Sequence, residues 1–130
     1  MAYSFCANFV FSSDDGDITM VAFSNDEFEP SQFVMLQQSN KYDDQDKKMG
    51  MDKIYIQVED QSRSHYGGIT KIVMMESLLV IGLEESAQAR LQIEGSIEIT
   101  MNTRQLEFSA ALSQLERMAQ KENVPFVKSA

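Results

Sequence analysis

The chain of 130 residues is poor in the residues that carry most protein chemistry: it has one cysteine, one histidine and two prolines. A lone Cys6 excludes an internal disulfide and fits a reducing compartment; placed in an apolar run, it is expected to be a buried small hydrophobe. One His65 and one Cys6 leave a single conceivable Cys–His pairing, and Cys6 has no cationic neighbour or helix start in sequence to lower its pKa. Zinc or iron sites built from nitrogen and sulfur ligands need more His or Cys than this. Gly67-Gly68 matches neither the GxGxxG nor the GxxxxGK[ST] pattern and precedes a strand-like segment, where phosphate cradles precede a helix. In "YDDQDKKMGMD" a calcium loop starting at Asp43 would place Lys47 fifth and Met49 seventh, with no glycine sixth. No cofactor or metal is therefore expected, and no enzyme activity.

Positive charge is equally scarce at the start. Residues 1–40 hold no Lys or Arg, but hold Asp14, Asp15, Asp17, Asp26, Glu27 and Glu29, and the whole chain carries a net charge of −9. Such a field repels phosphate backbones and anionic headgroups, so neither nucleic acid nor membrane is an expected partner; a basic protein is attracted. The opening MAYSFCANFVF has no Lys or Arg before its apolar stretch and alternates like a strand, so it reads as neither signal peptide nor membrane span. A cytoplasmic protein of a single domain over residues 1–130 is expected.

What is present is alternation. Tyr3–Phe11 has period two and reads as one strand with a buried face, pairing through the Asp-Gly turn of "SSDDGD" with Ile18–Phe23. A strand is expected near Phe33–Leu36, after Pro30 has excluded regular pairing. Residues 39–52 read as a long surface loop with room for one helical turn, in which Met49 and Met51 stand out as apolar. Lys53–Glu59, Ile69–Met75, Leu78–Leu83 and Ser96–Met101 read as strands, the middle two forming a tight hairpin, and Glu84–Leu91 as a short helix or loop. In Gln105–Lys121, Phe108, Ala111, Leu112, Leu115, Met118 and Ala119 fall on one helical stripe, with Asn102 or Thr103 as cap and Pro125 beyond the end. The predicted class is α+β: a mainly antiparallel sheet of six or seven strands with one long C-terminal amphipathic helix packed on one face.

The stretch Tyr42 to Ile69, "YDDQDKKMGMDKIYIQVEDQSRSHYGGI", resembles the immunity protein 10 family of bacterial polymorphic-toxin systems. The shared positions are Gln45, Asp46, Gly50, Met51, Asp52, Tyr55, Gln61, Ser64, Tyr66, Gly67, Gly68 and Ile69. The likeness is looser in "FCANFV", in "EPSQFVMLQ" and in the closing strand and helix. It implies a cytoplasmic immunity protein that binds and neutralises a cognate toxin domain as a stoichiometric inhibitor. Exposed Tyr55, Tyr66 and Arg63 are the expected anchors, while Gly67 and Gly68 are expected to serve a backbone turn. A competing expectation is a small enzyme or ligand-binding module that uses Arg63, Ser64, His65 and Tyr66, which requires those four side chains to converge on one pocket.

Overall fold

The computed structural model describes residues 2–41, 44–49, 52–101 and 106–129. Along the described chain run β1 (Tyr3–Ala7), β2 (Phe9–Asp14), β3 (Ile18–Ser24), β4 (Phe33–Ser39), α1 (Asp44–Lys48), β5 (Tyr55–Val58) and β6 (Ser64–Tyr66). There follow β7 (Ile69–Met75), β8 (Leu78–Leu83), α2 (Glu85–Leu91), β9 (Ile97–Met101), α3 (Leu106–Lys121) and β10 (Phe126–Ser129). The class is α+β, as expected, but the strands divide into two five-stranded sheets: β1-β9-β8-β7-β10 and β2-β3-β4-β5-β6. Pairing is antiparallel except between β1 and β9 and between β7 and β10.

The division begins at Asn8. There the expected single strand Tyr3–Phe11 breaks, and the backbone passes from one sheet to the other. Asn8 N–H donates to the Ser24 carbonyl at 3.0 Å and its side-chain amide to the Asn25 carbonyl at 3.0 Å, which fixes the crossing. The crossing inverts the phase of alternation. Phe5 and Ala7 are buried, yet Phe9 and Phe11 face outward while Val10 turns toward the core. Cys6 lies on the outward face of β1 and is exposed, which corrects its reading as a buried side chain.

The inner faces of both sheets and of α3 meet in one buried cluster. Val21, Phe23, Leu36 and Ile56 come from one sheet, and Ile72, Leu79, Ile81 and Ile99 from the other. Burying each such side chain contributes about 1.5–3 kcal/mol of hydrophobic stabilisation. Phe108, Ala111, Leu115, Met118 and Ala119 of α3 are buried on the stripe read from the sequence, with Leu112 half-buried at its margin. The helix packs against β2, β3 and β10. Its expected cap residues, Asn102 and Thr103, lie outside the described residues. It ends where Asn123 takes a positive φ of 57° and Val124 N–H bonds the Ala119 carbonyl at 2.9 Å. Beyond Pro125 the chain adds β10, absent from the sequence reading, as a parallel edge beside β7.

The β2–β3 turn is built as expected from aspartates: the Asp15 carboxylate accepts from Asp17 and Ile18 N–H, and Gly16 takes φ +94°. The β7–β8 hairpin turns without glycine because Glu76 takes φ +42°. Pro30 stands outside β4, which is an inner strand of its sheet, so it marks the strand entrance.

Candidate interaction face

Strand alternation in the β2–β6 sheet sends one set of side chains to the core and the other to an outer face. Register aligns Tyr66, Tyr55, Gln37 and Met20 in one row across that face, and Ser64, Gln57, Met35, Ala22 and Phe11 in the next. At the β4–β6 end, α1 and the β5–β6 loop flank the face and leave a groove of about 450 Å3. Gln37, Tyr55 and Gln57 line it together with Asp46 of α1, Gln61 of the loop and Tyr66 of the edge strand. The Tyr55 and Tyr66 rings stand 5.2 Å apart at 58°, a tilted aromatic pair. Tyr55 donates its hydroxyl to Gln57 Oε1 at 2.8 Å, while Tyr66 is 41% exposed.

Four residues singled out in the sequence, Asp46, Tyr55, Gln61 and Tyr66, thus come together. Gln45 is exposed on α1 with its amide 3.9 Å from the Met49 sulfur, and Met49 is exposed as its polar loop suggested. α1 carries Asp44 and Asp46 in its first turn and Lys47 and Lys48 in its last, which complements the helix dipole. Gly50 and Met51 of the shared motif lie outside the described residues.

Arg63 points away from the groove. Its Nε donates to the Leu91 carbonyl at the end of α2 at 2.9 Å, its Nη1 pairs with Glu59 Oε1 at 3.0 Å, and its guanidinium lies 5.5 Å from the Tyr3 ring centre. A cation on the last carbonyl of a helix is favoured by the dipole as well as by the hydrogen bond. Tyr3 donates its hydroxyl to Glu59 Oε2 at 2.6 Å and accepts Phe33 N–H at 3.3 Å. Burial first, and then the Glu59 carboxylate, hold the Tyr3 phenol far above its ordinary pKa. Arg63, expected as a partner anchor, has its Nε and Nη1 engaged inside the fold, where it joins the β5–β6 loop to β1 and α2.

The neighbours of Arg63 diverge likewise. Ser64 Oγ donates to the Gln61 carbonyl at 2.9 Å within its own loop, and His65 Nδ1 lies 3.0 Å from the Gly67 carbonyl oxygen. His65 pairs with Ile56 in register and Tyr66 with Tyr55, so the two side chains leave opposite faces of the strand. Tyr66 and Arg63 border different hollows: Tyr66 the groove, and Arg63 one beside Tyr3 and Ile93.

Gly67 and Gly68 carry the chain from one sheet to the other with φ of +77° and +84°. Gly67 N–H donates to the Ile54 carbonyl, and the Gly68 carbonyl accepts Glu84 N–H, each at 2.8 Å. A Cβ on Gly68 would stand 2.6 Å from Ala87 Cβ, so α2 seats on bare backbone; one on Gly67 would press the Lys53 side chain at 3.2 Å. Both glycines answer the backbone need expected of them.

At the other end of the same outer face, Phe9, Phe11 and Phe33, which lie outside the shared motif positions, surround a second hollow. Among the described residues no cluster of three His, Cys, Asp or Glu side chains could hold a metal ion. No described helix is long and apolar enough to cross a membrane. Compared with known proteins, the chain matches no curated protein. The sequence model of the immunity protein 10 family, by contrast, matches residues 6–109, from β1 to the first turn of α3. With most of its length inside that match, the chain belongs to the immunity protein 10 family.

Proposed function

We propose that the chain is a cytoplasmic immunity protein of a bacterial polymorphic-toxin system, which binds a cognate toxin domain and neutralises it as a stoichiometric inhibitor without turnover. The observation that carries this reading is membership of the immunity protein 10 family. The outer face of the β2–β6 sheet supports it, because it gathers Asp46, Tyr55, Gln61 and Tyr66 on one groove beside Gln45. Tyrosines suit such a role: they offer large contact area and a polar tip with few rotatable bonds. Gly67, Gly68, Arg63 and Ser64 act in this reading through the stability of the fold, since their contacts lie within it. The net charge of −9 suits a basic toxin, steering its approach and speeding association at low salt.

The test is co-expression of the chain with the toxin domain encoded beside it, followed by gel filtration of the purified pair. Survival of the cells and a stable complex are expected. Cell death with no complex would contradict the proposal.

A further inference from the structure

The far end of the outer face differs from the groove. Phe9 and Phe11 on β2 are 40% and 57% exposed, and Phe28 in the β3–β4 connection is 85% exposed. Phe9, Phe11 and Phe33 wall a hollow of about 290 Å3 floored by Ala22, with Glu27 at its rim. Phe28 follows Glu27 of that hollow directly in the chain, and exposed rings grouped at one end of a sheet face are uncommon on a surface that meets only water.

The segment that presents Phe28 is braced. Asn25 Oδ1 accepts from Ser31 and Gln32 N–H at 3.2 and 3.1 Å, and its amide donates to Ser31 Oγ at 2.9 Å. Asp26 Oδ1 accepts from Phe28 and Glu29 N–H at 3.0 and 3.1 Å. Phe28 is thus held out in a fixed loop, which lowers the ordering cost of a contact made there.

The chain segment that carries the rings has charge of one sign. Residues 1–40, which include every ring and the strands beneath them, hold no Lys or Arg, while Asp26, Glu27 and Glu29 flank Phe28. Aromatic faces attract guanidinium and ammonium groups, and neighbouring carboxylates add charge-assisted hydrogen bonds to the same cation.

We infer that the Phe9–Phe11–Phe28 ledge, with Glu27 and Glu29 at its edge, is a docking surface for an Arg- or Lys-bearing surface of the toxin. This rests on the toxin-binding reading above and assigns it an anchor away from the groove.

The experiment measures binding of the adjacently encoded toxin domain to the full chain by biolayer interferometry at two salt concentrations. It compares the wild type, Phe11→Ser with Phe28→Ser, and Glu27→Lys with Glu29→Lys. Circular dichroism and urea unfolding check each fold. The expected result is a loss of about 30-fold in affinity for the phenylalanine pair, mostly as faster dissociation, which corresponds to about 2 kcal/mol at 1.4 kcal/mol per tenfold. The glutamate pair is expected to slow association about tenfold and flatten its salt dependence. A wild type that binds, beside folded variants that all bind within about threefold of it, overturns the ledge and leaves the proposed function standing. A wild type that does not bind overturns both.

Discussion

Arg63 stacks on Tyr3 while both side chains reach the two oxygens of one carboxylate, Glu59. This contact ties the β5–β6 loop to the first strand of the other sheet, and it gives Arg63 a role in stability. Arg63→Ala leaves the Leu91 carbonyl and Glu59 without their cation and is expected to lower unfolding free energy by about 2 kcal/mol in urea titrations. Affinity for the toxin, per folded molecule, is expected to stay unchanged.

The same contact sets a pH dependence. The Tyr3 phenol has its pKa raised by burial and by Glu59, so the folded state favours the protonated form. That contribution is complete below the unfolded tyrosine pKa of about 10 and is lost as pH rises beyond it toward the folded value. Wild-type stability is expected to fall more steeply above about pH 10 than that of Tyr3→Phe, as followed by urea midpoints.

Gly68→Ala tests the seat of α2. The substitution combines a φ of +84° with a methyl 2.6 Å from Ala87 Cβ, and a loss of about 3 kcal/mol is expected. On an Ala87→Gly background, where the 2.6 Å contact is gone and the strained φ remains, the same substitution is expected to cost less, as read by thermal unfolding.

Cys6 is exposed, and its thiol is expected to react with a disulfide reagent in the native protein at a rate close to that in urea. Cys6→Ser is expected to change stability by no more than about 0.5 kcal/mol.

Within the groove, Tyr66→Ala removes an exposed ring and its partner contact with Tyr55. Protection of toxin-expressing cells is expected to weaken, with an affinity loss of about tenfold or more, while the unfolding midpoint moves little. Titration calorimetry with the toxin domain reads the affinity, and thermal unfolding of the free chain reads the midpoint.

Local pattern made much of this fold legible. The helical stripe from Phe108 to Ala119, the aspartate turn before Ile18 and the positive φ at Gly67 and Gly68 each follow from residues close in sequence. The division into two sheets does not, because the alternation from Tyr3 to Phe11 looks continuous and only the tertiary hydrogen bonds of Asn8 break it. That break reversed the face of every later residue in the run, exposing Phe9 and Phe11 and hiding the ledge from the sequence reading. The outward position of Cys6 depends on which face of β1 meets the core, which its apolar neighbours in sequence do not decide. β10 escaped notice because four residues after a proline carry too little pattern to compete with a parallel edge contact. Of the candidate site, motif spacing found Asp46, Tyr55, Gln61 and Tyr66, but could not separate them from Arg63, whose partners Tyr3 and Leu91 are distant in sequence.

The most direct measurement of the central claim is a titration of the toxin domain's own activity with the purified chain, at toxin concentrations far above the dissociation constant. A stoichiometric inhibitor gives a linear fall that reaches zero at one chain per toxin, with an equimolar complex recovered from gel filtration. Inhibition by a small fraction of an equivalent would reveal turnover, and undiminished activity at excess would reveal no binding; either result contradicts it.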